Sequence, residues 1–253
     1  MTVSTIQPYG AGPYYDLVLA RRPERAAFIA RRFRGFRRLL DVGAGNGEIA
    51  FALARRGHEV VCLEPSRTMF ALLLGRLPAL GADAKRITPL RMSAETRQRF
   101  RIEAAYCCSV FHLVRADAAR RRLLRAIFRQ LPPGGRLIFD YVGMPAPQSS
   151  APRVIAQGRF GAVEYRHWNG VRRLRDTHYA VDWLVEGKLG GATVDRYKES
   201  FRVRTDAAGY WPALVAQCGG EVIEIHDGYP APGRRTPVVA VNRRVVVARR
   251  IRS

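Results

Sequence analysis

Short apolar runs recur through the first half of the chain, at 39–42, 58–64, 87–91, 104–110 and 136–140. Stretches with apolar residues at helical spacing alternate with them. The segment 22–33 carries Phe28, Ile29 and Phe33 on one face, with Pro23 near its start and Gly35 at its end. Gly57 closes a helix over 48–56. Ser66 caps the next, whose stripe is Met69, Leu72, Leu73 and Leu77, and Leu123, Leu124, Ile127, Phe128 and Leu131 mark a third over 117–131. Strands that alternate with helices predict an α/β fold with a parallel, doubly wound sheet, because right-handed crossovers place helices on both faces.

Beyond residue 145 the pattern changes. The Pro-, Ala- and Ser-rich stretch 145–152 reads as an exposed linker, and from 158 to 204 the period falls to two, as in antiparallel strands. Breaks are expected at Asn169-Gly170, a hairpin dipeptide, and at 187–191. A helix over 205–218, stopped by Gly219-Gly220, and strands at 221–226 and 242–249 complete a seven-stranded sheet. The expected division is a core of 1–145 and 201–253, with 146–200 inserted after the fifth strand.

The 253 residues suit one α/β domain with an elaboration. No stretch of eighteen apolar residues occurs, so no membrane partner is expected. The first ten residues lack the charged-then-apolar order of a signal peptide, which points to the cytoplasm. Cys62, Cys107, Cys108 and Cys218 have no metal-ligand spacing and read as small core hydrophobes. The net charge of +22 comes almost wholly from arginine; lysine stands only at 85, 188 and 198. Such a balance fits either a polyanion partner or arginine-rich codon usage. The arginines are scattered and no aromatics are interleaved with them, which disfavours nucleic acid as a partner.

The sharpest motif is Leu-Leu-Asp41-Val-Gly43-Ala44-Gly45-Asn-Gly47, a strand, a glycine turn and a helix start. Small residues there let a ligand approach the backbone, and a helix N-terminus offers N–H donors. A dinucleotide fingerprint would need glycine at its sixth position, where Glu48 stands, so a dehydrogenase is excluded. Glu64 ends the following strand, where a carboxylate can accept two hydrogen bonds from a vicinal diol.

Loop and acid together resemble class I S-adenosylmethionine-dependent methyltransferases, which implies a Rossmann-like sheet and S-adenosyl-L-methionine as cofactor. The Leu131–Gly135 turn before the fifth strand is similar too. The resemblance assigns Asp41, Gly43, Ala44, Gly45, Gly47, Glu64 and Pro65 to the cofactor, with Ser93 and Ala94 facing the adenine. Serine replaces the family's usual aspartate at 93 and gives a weaker acceptor. Cys107, Cys108 and Tyr15 complete the cofactor set, while Tyr14, Phe111, His167, His178 and Tyr229 are candidates for the acceptor pocket. Each of His167 and His178 can equally be a strand-packing residue.

His112 follows the fourth strand, at the end of the sheet where ligands lie. It can serve as a general base, with an ordinary pKa of about 6–7, or as a packing residue. The expected activity is methyl transfer to N or O, with C as a further option, of a small-molecule acceptor in secondary metabolism. Two alternatives stand beside it: an RNA methyltransferase and a non-catalytic cofactor-binding partner. The Asn/Asp-Pro-Pro-aromatic motif of many nucleic-acid methyltransferases is missing after the fourth strand, which reads Cys107-Cys-Ser-Val-Phe111. A monomer or homodimer is expected.

Overall fold

A computed structural model describes residues 23–96, 98–229 and 242–251, together with Tyr14. Tyr15 lies outside the described residues. Strands β1 (Arg38–Val42), β2 (Glu59–Leu63), β3 (Ile87–Leu90), β4 (Ala104–Cys107) and β5 (Arg136–Gly143) are mutually parallel, in the order β3-β2-β1-β4-β5. The last strand, β11 (Arg243–Arg250), runs antiparallel beside β5, and β10 (Gly220–Asp227) pairs with β11 at the edge. That makes seven strands in the core sheet, with one reversed.

Alternation along these strands sends apolar side chains to both faces. On one side Leu40, Val42, Leu137 and Phe139 pack with α4 (Asp117–Gln130) and α5 (Tyr210–Gln217). On the other, Leu39, Ala104, Tyr106 and Ile138 pack with α1 (Pro23–Arg32) and α2 (Glu48–Ala54). The remaining helix, α3 (Arg67–Arg76), starts at Ser66, whose hydroxyl accepts the Met69 N–H at 3.3 Å. The buried, closely matched apolar faces of β1, β4 and β5 are why the C-terminal ends of these strands form a rigid platform.

Strands β6 (Ser150–Phe160), β7 (Val163–Arg175), β8 (His178–Leu189) and β9 (Ala192–Asp206) form an antiparallel meander. The turn expected at Asn169-Gly170 is not there. These residues pair with Trp183 and Asp182 in the middle of β7, and the chain reverses at 176–177 instead. Packing overrides the dipeptide: a Cβ on Gly170 would sit 3.2 Å from Pro152 Cγ, so glycine there lets β6 approach. Much of the expected linker is likewise strand, since β6 begins at Ser150 and keeps Pro152 on an edge, where no ladder donor is needed.

The last helix is shorter than its sequence pattern, because β9 runs on through Asp206 before α5 begins at Tyr210. Val142 and Gly143 pair with Thr205 and Asp206, so the meander is stitched to the C-terminal end of β5. Asp206 is the buried anchor of that joint. Its carboxylate accepts two bonds from Arg120 at 2.7 and 2.8 Å and one from Trp211 Nε1 at 3.1 Å. Among the described residues no helix is long and apolar enough to cross a membrane.

Candidate active site

The glycine loop leaves β1 with Gly43, Gly45 and Gly47 all at positive φ. At Gly43 the demand is internal, since a Cβ would meet Val110 Cγ2 at 2.5 Å. Gly45 differs: at φ +59 its added Cβ would find only Met69 Cε, at 3.4 Å. That side of the loop has room for a ligand to lie on the backbone.

The loop's amides are already engaged. Gly43 and Ala44 N–H donate to the Leu63 carbonyl at 2.8 and 3.1 Å, and Gly47 N–H to that of Ala44 at 3.0 Å. Glu48 N–H donates to Asn46 Oδ1 at 3.3 Å. The loop therefore contributes shape rather than the donors its sequence suggests.

Glu64 organises the rest. One carboxylate oxygen accepts the Gly45 N–H at 2.8 Å and the other accepts the Ser66 N–H at 2.7 Å. Two amides fix the carboxylate plane and leave lone pairs over, because a carboxylate offers about four acceptor sites. Burial drives its pKa up, against the downward pull of those two amides. Asp41, below it on β1, is pushed up to about 8 by burial and by the Glu64 charge, partly offset by the Tyr106 hydroxyl. Pro65, Ser93 and buried Ala94 lie on the turns that follow β2 and β3. Ser93 Oγ accepts the Glu95 N–H at 3.2 Å.

At the end of β4 the picture shifts from the sequence reading. Cys107 is buried in the sheet core, so only its backbone can face a ligand. Phe111 is 0% exposed, with its ring 4.8 Å from Trp211 and 5.1 Å from Phe139. It is a core residue and offers no face to an acceptor.

Tyr229 is buried too, its hydroxyl 2.8 Å from Asp140 Oδ2 and 3.1 Å from Cys108 Sγ. These contacts belong to a network that sequence reasoning missed. Asp140, fully buried on β5, accepts the Ser109 N–H at 2.8 Å and pairs with Arg243 at 2.9 Å. Arg25 from α1 donates to Ser109 Oγ at 2.9 Å. Burial works to raise Asp140, but Arg243 and Arg25 outweigh it and hold the carboxyl below its usual range. Ser109 itself has φ 59, rare for a residue with a side chain, and its amide bond to Asp140 holds it there. The available signal was a lone aspartate ending the apolar run Leu-Ile-Phe-Asp140.

His112 is 8% exposed, and among the described residues its Nδ1 has no hydrogen-bond partner. Burial, with Arg243, Arg25 and Arg120 nearby, pulls its pKa down to about 3. The imidazole is neutral in the neutral range, and the inflection expected near 6–7 is moved out of it. A group this weakly basic takes little of a proton from an acceptor at neutral pH.

His167 is fully buried with its ring 4.9 Å from that of Trp183. His178 bonds Thr177 Oγ1 at 2.8 Å and, by strand alternation, lies on the opposite face from Trp183. The two histidines thus do not share one pocket. Tyr14 reaches the far part of the meander, donating to Asp195 at 2.9 Å with its ring 5.4 Å from Tyr197. Among the described residues no cluster of ligating side chains could hold a metal.

With this geometry in hand, residues 40–137 match a family described as a methyltransferase domain. Residues 40–137 thus carry a methyltransferase domain, and the fold is one that solved S-adenosylmethionine-dependent methyltransferases share. The CcbJ methyltransferase from Streptomyces caelestis has a similar structure, with a TM-score of 0.73 at 18% identity over 96% of each chain. The sugar N-methyltransferase KedS8 from a Streptoalloteichus species gives a TM-score of 0.71 at 20% identity, over 100% of this chain and 99% of that one. In sequence, the chain is 32% identical over 134 residues to the ubiquinone biosynthesis O-methyltransferase of Alkalilimnicola ehrlichii, covering 51% of this chain and 50% of that protein. The chain thus spans about half the length of the curated relatives it matches.

Proposed function

We propose that the protein transfers a methyl group from S-adenosylmethionine to nitrogen or oxygen of a small-molecule acceptor in a biosynthetic pathway. The observation that carries this reading is Glu64, fixed by two amides beside the open side of Gly45, with lone pairs left for a ribose diol. In this reading Asp41, Gly43, Ala44, Gly47 and Pro65 would frame that place, with Ser93, Ala94 and the backbone of Cys107 and Cys108 on its far side, since all lie at or just after the C-terminal ends of neighbouring strands. When bound, S-adenosylmethionine supplies an electrophilic sulfonium methyl.

The chain's own part is positioning. The Ser109–His112 turn is held by Asp140 on one side. On the other it is held by Arg120, whose guanidinium donates to the Phe111 and Val114 carbonyls. A fixed turn beside the methyl favours in-line approach of donor and acceptor. The acceptor attacks in its deprotonated form, the form with a lone pair to give, and buried, neutral His112 is not the group that takes its proton. His112 then acts as a wall of the site rather than as its base. The likeness to a sugar N-methyltransferase suits nitrogen, and that to an O-methyltransferase suits oxygen. The test is a mass-spectrometric screen of amine and phenol metabolites with isotope-labelled cofactor. Gain of one labelled methyl on an amine supports the reading, and no transfer to any small acceptor while RNA is labelled overturns it.

A further inference from the structure

The core-facing side of the meander is divided by charge. Where it meets the sheet it is apolar: Val171, Tyr179 and Val203 cluster with Val142 and Ala146, and Leu113 packs against them. Following β9 outward, the residues on this same face are Phe201, Glu199, Tyr197 and Asp195. Strand pairing sets Trp183 opposite Glu199 and Asn169 opposite Trp183. Trp183 rests its ring edge-to-face on Phe201, 4.9 Å between centroids. Tyr14 crosses over the outer end to reach Asp195.

This face carries hydrogen-bond acceptors and aromatic rings, with Arg153 of β6 opposite Asn169 at its β6 side. Glu199 accepts the Tyr197 hydroxyl at 2.8 Å, and Asp195 accepts that of Tyr14 at 2.9 Å. Asn169 is 8% exposed, and its Oδ1 is buried with no donor among the described residues. An unpaired buried carbonyl oxygen in a folded protein calls for a partner. What completes such a surface is a donor, and two carboxylates with aromatic faces select a cation over a neutral hydroxyl.

We propose that this face binds a protonated amino group of the acceptor, held by Glu199, Asn169 and Trp183, apart from the atom that is methylated. The inference rests on the reading of the chain as a small-molecule methyltransferase. The separation follows from strand length: Glu199 lies four residues along β9 from Val203, about 13 Å at the usual rise. A protonated amine has no lone pair and cannot attack the methyl. The methylated atom belongs at the other end, near His112, whose carbonyl accepts the Arg204 N–H where β9 meets the core. The acceptor is then an elongated molecule, oriented by its charge.

Three probes of equal length distinguish the possibilities: phenylbutylamine, phenylbutanol and phenylbutyrate. They are titrated by calorimetry into the full chain with S-adenosylhomocysteine present. The amine should bind about tenfold or more tighter than the alcohol, and the carboxylate weakest. Glu199→Gln should remove most of that preference, and Asp195→Asn, on the same face, should lower it in the same direction. Asp182→Asn makes the same change of charge on the opposite face and should leave the preference intact. An amine that binds no tighter than the alcohol, or a preference that survives Glu199→Gln in a folded variant, overturns the proposal. If S-adenosylhomocysteine itself gives no heat, the methyltransferase reading fails instead, and the amine preference is still read on the protein alone.

Discussion

Glu64 ties two loops together, since Gly45 and Ser66 come from different strand-to-helix turns and both donate to its carboxylate. On the proposed reading, removing it takes away a ribose contact, and it also slackens the loop. Hydrogen bonds to a charged acceptor are worth about 1.5–3 kcal/mol each. Glu64→Ala should therefore lower S-adenosylmethionine affinity by roughly tenfold or more. Calorimetry on the two proteins checks this, and equal affinity would move the ribose partner elsewhere. His112 makes a different kind of statement. With its pKa pulled down to about 3, it does not change charge between pH 5 and 8. Rate profiles of wild type and His112→Ala should then share the same shape across that range. Turnover in the variant should stay within about tenfold of wild type, whereas an essential base would cost about 100-fold or more.

At the scale of elements, the joint between meander and core depends on one buried ion pair. Arg120 and Asp206 have side chains 0% and 1% exposed, and Arg204 and Trp211 complete the carboxylate's partners. Truncating one member of such a pair leaves an uncompensated buried charge and costs about 3–5 kcal/mol. Asp206→Ala should lower the melting temperature by roughly 10 °C, given about 2–4 °C per kcal/mol for a domain this large. A shift under about 2 °C in a thermal scan would mean the joint is held by backbone pairing alone. Neither this pair nor Asp140 with Arg243 could be read from the sequence, because each joins segments far apart in the chain, and a lone Arg in an arginine-rich helix gives no signal. The glycine loop and Glu64 were legible because their spacing is local and chemically specific. Asn169-Gly170 misled for the opposite reason. A local turn preference of a few tenths of a kcal/mol yields to the cross-strand pairing of a long hairpin.

At the scale of the molecule, many arginines among the described residues are engaged in exposed ion pairs. Arg37–Glu59, Arg172–Asp182 and Arg249–Glu221 are exposed pairs, each worth little to stability. Association with RNA should therefore be weak and sequence-blind, and should fade steeply as salt rises from about 50 to 200 mM. Filter binding at the two salts checks it; a tight complex at the higher salt would revive an RNA acceptor. The apolar runs that predicted the doubly wound sheet did so because parallel strands buried on both faces admit few polar residues. Its C-terminal edge brings Gly45, Glu64, Ser109 and His112 to one end of the molecule.

We expect this edge to hold S-adenosylmethionine through the glycine loop and Glu64. Calorimetric titration of the wild-type chain with S-adenosylmethionine tests it directly. Saturable, one-to-one binding is expected, with a Kd on the order of micromolar, corresponding to about 8 kcal/mol. No heat of binding at millimolar cofactor would contradict it.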